Sequence, residues 1–178
     1  MFLSSFESSV DVKKRVSIPA PFRKSLGGQD SVYLWESLDK PCIEGCGQAL
    51  VESFEASISD LDLMDKRRFA LATTILGDLV QARLDDGGRI VLDTALMSHA
   101  GIADKVRIVG LGDRFQIWEP ERYRAARAEI RQLAIESLGL LQSKPARPNG
   151  HANGQANGDD QTPDDPPQNS GPPRRGFE

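Results

Sequence analysis

The strongest constraint on the fold is an approximate internal repeat with an offset of 74 residues. The segment DVKKRVSIPAPFRKSLGG at 11–28 is followed by DDGGRIVLDTALMSHAGI at 85–102. Apolar positions agree along about 35 residues, so that Val16, for example, corresponds to Ile90. A β-rich unit of about 50 residues buries little surface on its own. We therefore expect the two copies to intertwine or to pair with each other.

Each copy predicts the same order of elements, which is strand, turn, strand, short helix and strand. Alternating apolar residues indicate that the strands are half-buried. In the first copy, Pro21 can open the short helix, and Gly27 and Gly28 stop it. In the second copy, Asp93 or Thr94 can cap the equivalent helix. The sequence thus predicts two similar small units in tandem.

Two longer helices are predicted outside the repeated segments. The first covers 57–77, with Ser59 as its N-cap. The second starts near Pro120 and covers 120–143, with one apolar and one arginine-rich face. The apolar stripe comprises Tyr123, Ala126, Ile130, Leu133 and Ala134, and the arginines are Arg122, Arg124, Arg127 and Arg131. We interpret these arginines as a solvated face paired with nearby glutamates, with a nucleic-acid role as the alternative.

The C-terminal segment 144–178 differs sharply in composition from the rest of the 178 residues. It holds seven of the eleven prolines and contains no Leu, Ile, Val or Met. Such a segment cannot bury enough apolar surface to offset its ordering entropy. We predict a disordered tail; the alternative is that Arg174 and Arg175 contact nucleic acid or a partner.

The charge is unevenly distributed along the chain. The formal net charge of −4 argues against a generally basic nucleic-acid coat protein. Residues 1–35, however, carry five basic against three acidic side chains. This distribution favours docking on nucleic acid through one basic edge, because the acidic body would be repelled elsewhere.

The candidate functional motif is D-x-x-x-R, which occurs once in each copy. It comprises Asp11 and Arg15 in the first copy, and Asp85 and Arg89 in the second. Further candidate DNA-binding residues in the first copy are Lys13, Lys14, Arg23 and Lys24. A basic strand turn can enter a DNA groove, where arginine reads guanine edges or clamps phosphate. A structural ion pair on a hairpin explains so short a motif equally well.

Five segments in order resemble the MraZ family of bacterial transcriptional regulators. They are MFLSSFE, DVKKRVSIPAPFR, LDDGGRIVLD, HAGI and VGLGDRFQIWEPERY, and they span about residues 1–140. The resemblance implies an α+β, β-rich fold with two tandem AbrB-like swapped-hairpin β-barrel units. It also implies a ring-shaped homo-oligomer that binds repeated promoter sites on double-stranded DNA, upstream of the cell-division and cell-wall gene cluster. DNA contact then carries over to Asp11, Lys13 and Arg15.

On this basis we divide the chain by sequence. The predicted segments are a first AbrB-like unit at 1–56, a connecting helix at 57–77, a second unit at 78–124, a C-terminal helix at 120–143 and a disordered tail at 144–178.

Two positions depart from the pattern of the family. Lys14 stands where the family usually has glycine, which implies either a different turn or mild strain. Asp93 stands where a proline is expected, and the second motif is acidic overall. We therefore expect the first copy to dominate DNA contact. Asp85 and Arg89 are expected to be structural, or to make a minor DNA contact.

The remaining features predict a cytoplasmic protein without signal peptide, membrane span, metal, cofactor or small-molecule substrate, and the family resemblance implies that it is nucleoid-associated. Cys42 and Cys46 lack a second ligand cluster, and we expect two reduced thiols, at least one of them partly buried. Trp35 and Trp118 are expected in the core or at an interface. No catalytic motif is present, so an enzyme is not expected. The alternatives are an AbrB/MazE-like antitoxin and a ring scaffold that does not bind DNA.

Overall fold

The computed structural model describes residues 1–142. Residues Met1–Gly139 form one compact unit, and of the second unit, Leu140–Glu178, only the first three residues are described. The predicted disordered tail at 144–178 lies outside the described residues. Within residues 1–142, no helix is both long and apolar enough to cross a membrane. The architecture is α+β with a mainly antiparallel sheet, as predicted.

The two copies contain the same elements in the same order. The first copy comprises β1 (Ser5–Ser9), β2 (Arg15–Ser17), α1 (Ala20–Ser25), β3 (Ser31–Glu36) and β4 (Ile43–Cys46). The second comprises β5 (Val80–Arg83), β6 (Arg89–Val91), α4 (Thr94–Ala100), β7 (Lys105–Gly110) and β8 (Arg114–Trp118). The predicted strand, turn, strand, helix and strand are therefore confirmed in both copies. The turn and strand that GLGDRFQIWEP at 110–120 predicts are confirmed as β8, and β4 is the equivalent strand in the first copy.

The strands of the two copies are interleaved. The six-stranded sheet has the order β1-β7-β8-β4-β3-β5, in which β1, β4 and β3 each pair with a strand of the second copy. A separate two-stranded ribbon joins β2 to β6. The expected intertwining is confirmed, and it lets two small units share one interior.

The core lies beneath the ribbon and draws on both copies. Val16 and Ile90, which pair across the ribbon, are completely buried, whereas the next residue on each strand is exposed. Phe22 of α1 packs edge-on against Phe2 and Phe6, with ring centroids 5.3 and 5.4 Å apart. The apolar alternation noted in the sequence is thus the inner face of the ribbon.

The segment between the copies is not the single helix predicted over 57–77, and that prediction is wrong. Helix α2 (Gln48–Ser59) ends at Ser59, the residue predicted as an N-cap. A loop follows, and α3 (Lys66–Leu71) begins after Asp65, whose carboxylate accepts a hydrogen bond from the Arg67 amide at 2.8 Å.

The chemistry of aspartate explains this break. In the loop, Asp62 accepts a hydrogen bond from the Met64 amide at 2.8 Å. Short acidic side chains compete in this way with the helical hydrogen bonds of the backbone and favour turns. After α3, residues Ala72–Leu76 form a π-helical turn before the second copy begins.

The C-terminal helix is confirmed at its start and is shorter than predicted. Helix α5 (Pro120–Glu136) is capped by Glu119, which accepts a hydrogen bond from the Arg122 amide at 2.8 Å. A short α6 (Gly139–Gln142) follows. No residue of α5 is buried within the described part of the chain, and Leu133 in its apolar stripe is 63% exposed.

Because the copies share a core, we predict that the folded unit unfolds in one transition. Ile90→Val should lower its free energy of unfolding by about 1 kcal/mol, since a buried methyl group is lost. In Trp35→Phe the remaining Trp118 reports on the second copy, and in Trp118→Phe the remaining Trp35 reports on the first. When Ile90→Val is added to each variant, the two denaturation curves measured by fluorescence should coincide. Val91→Ala, on the exposed face of the same strand, is the matched control. Two separate transitions would contradict the shared core.

Candidate nucleic-acid interface

The D-x-x-x-R motif of the first copy forms a tight turn that its own aspartate holds. The Lys14 amide donates to the Asp11 carbonyl at 2.9 Å, which closes the turn. One carboxylate oxygen of Asp11 accepts from the amides of Lys13 and Arg15, at 2.8 and 2.9 Å. Two backbone donors that the turn leaves without a strand partner are thus satisfied by one side chain.

The other carboxylate oxygen of Asp11 orients the arginine. The Nε and a terminal nitrogen of Arg15 donate to Asp11 Oδ2 at 2.8 and 2.7 Å. These side-chain hydrogen bonds from Arg15 are the main cause that lowers the pKa of Asp11 to about 2, and the hydrogen bond from the Arg15 amide is the next largest. Hydrogen bonding by Asp11 likewise raises the pKa of Arg15. The carboxylate therefore keeps the guanidinium in one orientation at the turn.

The second copy reproduces this arrangement. Asp85 accepts from the amides of Gly87 and Arg89 at 2.9 Å each, and from Arg89 Nε at 2.9 Å. The pKa of Asp85 is lowered, first by the backbone bond from Arg89 and then by the side-chain bond. The two motifs thus build the same turn on different sequences.

The ribbon brings the two turns together. The Leu92 amide donates to the Lys14 carbonyl at 2.9 Å, and the Ile18 amide donates to the Gly88 carbonyl at 3.0 Å. A terminal nitrogen of Arg15 also lies 3.8 Å from Asp85 Oδ2. All four motif residues are therefore in one place, although they come from opposite halves of the chain.

Lys14 adopts the backbone conformation that a glycine would adopt. Its φ is +59°, close to the +71° of Gly88 at the equivalent position. Of the two expectations for Lys14, the different turn is wrong and the mild strain is confirmed. Its ammonium group donates to Thr94 Oγ1 at 2.6 Å, which ties the first turn to the start of α4.

Gly88 cannot be replaced without displacing a neighbour from the first copy. A Cβ there would lie 2.3 Å from a terminal nitrogen of Arg23. The Arg23 side chain therefore lies against the second turn, in space that the absent side chain leaves open. Asp93, the other departure from the family pattern, caps α4 by accepting from the Ala95 amide at 2.7 Å.

Across the two turns and the short helices that follow them, the unpaired positive charge of the described residues lies on the first copy. Lys13, Lys14, Arg23 and Lys24 are exposed, and within residues 1–142 none of them forms an ion pair. The equivalent positions in the second copy hold Gly87, Gly88, Met97 and Ser98. The ribbon end is therefore electrostatically asymmetric.

Some residues at this surface were not singled out by the sequence. The sequence indicates Thr94 only as a helix cap, whereas its hydroxyl also accepts the hydrogen bond from Lys14. Arg83 lies apart from the ribbon and donates two hydrogen bonds to Asp30, at 3.0 and 2.8 Å. Val12, between Asp11 and Lys13, is fully exposed. The sequence feature that could have drawn attention to Val12 is its position as an apolar residue within a charged turn.

The cysteines are placed as expected for reduced, structural thiols. Cys42 and Cys46 are both buried and free, and burial raises the pKa of each to about 12. Such thiols are poor nucleophiles. Trp35 and Trp118 are buried, as expected. Among residues 1–142, no group of three or more His, Cys, Asp or Glu side chains is placed to hold a metal ion.

Comparison with known proteins identifies the family. A transcriptional regulator MraZ of Phenylobacterium zucineum is 43% identical over 145 residues, which are 81% of this chain and 91% of the relative. The chain belongs to the MraZ family. The MraZ regulators of Caulobacter vibrioides and Azorhizobium caulinodans are 39% and 42% identical, covering 81% and 78% of this chain and 93% and 91% of the relatives.

A family model described as "MraZ protein, putative antitoxin-like" matches residues 75–137. This range begins in the π-helical turn and contains the second copy and α5, including Asp85 and Arg89. The three MraZ relatives are named as transcriptional regulators, and none of these names describes an enzyme. Transcriptional regulation is accordingly the general role of this member of the MraZ family.

We predict that Asp11 makes stability fall in acid. Its pKa in the folded protein, about 2, lies below the ordinary value of 3.8. The stabilisation is therefore complete above about pH 4 and is lost as the pH falls toward 2. Asp11→Asn should show a smaller loss of unfolding free energy than wild type between pH 5 and pH 2.5, measured by denaturant titration. Asp86→Asn, in the other turn, is the control; equal losses in Asp11→Asn and wild type would refute the prediction.

We also predict that Lys14→Gly stabilises the fold. Removing the side chain relieves the positive-φ strain, and the unfolding free energy should rise by up to about 1 kcal/mol. Gly88→Ala should act in the opposite direction by about 1 kcal/mol, because it places a Cβ at φ +71°. Denaturant titration of both variants tests the pair. A destabilised Lys14→Gly variant would show that the lysine is unstrained.

Proposed function

We propose that this chain is a sequence-specific DNA-binding transcriptional regulator that docks on double-stranded DNA through the turn of its first copy. The observation that carries the proposal is the exposed, unpaired lysine at the tip of a turn held by Asp11. A two-stranded β-ribbon fits the major groove of B-DNA. A turn that is already ordered loses little conformational entropy when it binds.

The hydrogen bonds suggest different roles for the arginine and the lysines. Arg15 is paired with Asp11, yet its side chain remains 29% exposed. Two of its five N–H donors point at Asp11, so the others are available to the edge of a guanine. Lys13 and Lys14, together with Arg23 and Lys24 on α1, carry charge that no described carboxylate neutralises. We assign these four to phosphate contacts, which supply affinity and its salt dependence.

The second turn is assigned a structural role with at most a minor DNA contact. Its tip consists of Asp86 and Gly87, in place of Val12 and Lys13 in the first turn. A carboxylate at the tip repels phosphate, and Arg89 is already paired with Asp85 at 2.8 Å. The pair Asp85 and Arg89 therefore holds the ribbon that presents the first turn.

We further propose that several copies assemble into a ring that binds repeated promoter sites upstream of the cell-division and cell-wall gene cluster, at the nucleoid. The family resemblance is the basis for this arrangement. Its structural support is the apolar stripe of α5, where Ile130 and Leu133 are 40% and 63% exposed in the single chain. Linked weak contacts raise the apparent affinity by roughly 10²- to 10⁴-fold.

The antitoxin remains the second candidate, because the description of the matching family model includes the word "antitoxin-like". An antitoxin binds a small toxin protein as well as DNA. Co-purification of such a partner in stoichiometric amount would favour it over the regulator that acts alone.

The decisive experiment is a titration of DNA from upstream of the chain's own gene. Arg15→Ala should weaken binding by about 10- to 100-fold, because a two-pronged base contact is lost. Lys13→Ala should weaken binding to all sequences alike. It should also reduce the slope of the logarithm of affinity against the logarithm of salt concentration by about one for each bound turn. Light scattering and circular dichroism would establish that assembly and folding are intact.

Arg89→Ala is the matched control, since it removes the same group from the equivalent turn. We expect it to lower stability or assembly more than sequence preference. Unchanged affinity of Arg15→Ala in an intact oligomer would overturn the assignment of the first turn. An equal effect of both arginine variants, with folding intact, would overturn the asymmetry between the copies.

A further inference from the structure

Val12 is the most exposed of the large apolar side chains in the described part of the chain. Its relative exposure is 101%, so the folded protein covers none of it. It occupies the first tip position of the turn that the Lys14 amide closes on the Asp11 carbonyl. An isolated exposed valine is ordinary on a protein surface, but this one lies at the leading edge of the proposed interface.

The turn itself does not require valine at this position. The second turn has the same hydrogen bonds and places Asp86 there. Asp11 holds the first turn through the amides of Lys13 and Arg15, which lie on the far side of Val12 in the chain. The side chain is therefore available for an external partner, and the comparison of the two turns separates this role from folding.

The surroundings of Val12 indicate what kind of partner it meets. Lys13 follows it directly, Lys14 closes the same turn, and the Arg23 side chain of α1 lies against the neighbouring second turn. These cations have no ion-pair partner among the described residues, so they favour a negative partner surface. In the major groove of DNA, the apolar group within reach of a protein is the C5-methyl of thymine. We propose that Val12 packs on a thymine methyl group and adds a thymine preference beside the base read by Arg15.

The side chain suits this contact. A β-branched residue has few rotamers at χ1, so little entropy is lost when it is held against a base. Burying one methyl-sized group corresponds to about a three- to fourfold change in affinity per contact. The effect multiplies when several subunits of one assembly bind linked sites, so the observed change should exceed that of a single site. The inference rests on the proposed DNA-binding function.

The test removes the methyl group from the DNA and the valine from the protein separately. The promoter probe is prepared once with thymine and once with deoxyuridine, which lacks only the C5-methyl. Wild type should bind the deoxyuridine probe at least three- to fourfold more weakly. Val12→Ala should bind the thymine probe more weakly by a similar factor and be insensitive to the replacement. Leu63→Ala, at another exposed apolar residue (77%), is the control and should behave like wild type.

The outcomes separate this inference from the function on which it rests. If wild type binds neither probe, both the DNA-binding function and the role of Val12 are overturned. If wild type binds both probes equally well, only the thymine contact is overturned. If Val12→Ala weakens both probes but keeps the sensitivity to deoxyuridine, the valine meets another surface, such as a neighbouring protein, and the inference is again wrong.

Discussion

Three residue pairs join β2 to β6 in antiparallel register, and both halves of the molecule are built around this short ribbon. Below it, Val16 and Ile90 are completely buried and begin the common core. At its ends, the carbonyls of Lys14 and Gly88 accept bonds from the opposite copy. One contact between distant segments thus organises the hydrophobic interior and the surface proposed to meet DNA.

The acidic overall charge of the chain and its proposed binding role are reconciled at this ribbon. Each motif aspartate neutralises the arginine of its own turn, so these ion pairs contribute order rather than net charge. The attraction for a polyanion then depends on the side chains that have no such partner. In the two turns and the short helices that follow them, such side chains lie on the first copy, so two similar halves carry an asymmetric electrostatic surface.

Much of the fold follows from local patterns in the sequence. Alternating apolar residues predicted β2 and β6, and Pro120 marked the start of α5, because these signals act over a few neighbouring residues. The long predicted helix failed at Ser59, where aspartates favour a turn over a helical continuation. The sequence left two alternatives for the backbone of Lys14, a different turn or mild strain. It could not decide between them, because a lysine does not reveal that its turn requires a positive φ.

The candidate site shows a similar division between local and distant causes. The pairing of Asp11 with Arg15 follows from their spacing in a tight turn. The position of Arg23 against Gly88 does not, because it depends on two segments about 65 residues apart that only the folded ribbon brings together. Likewise, the contact from Lys14 to Thr94 joins parts of the chain with no common local pattern.

The interleaved sheet also has a consequence for how the protein is made. Strand β1 is completed only by β7, whose residues are about one hundred positions later in the chain. During synthesis, the first copy therefore leaves the ribosome without the strands that cover its apolar face, and must wait for the second. Pairings so distant in sequence also slow folding. We thus expect the nascent first half to depend on the arrival of the second half, or on a chaperone, rather than to fold as it emerges.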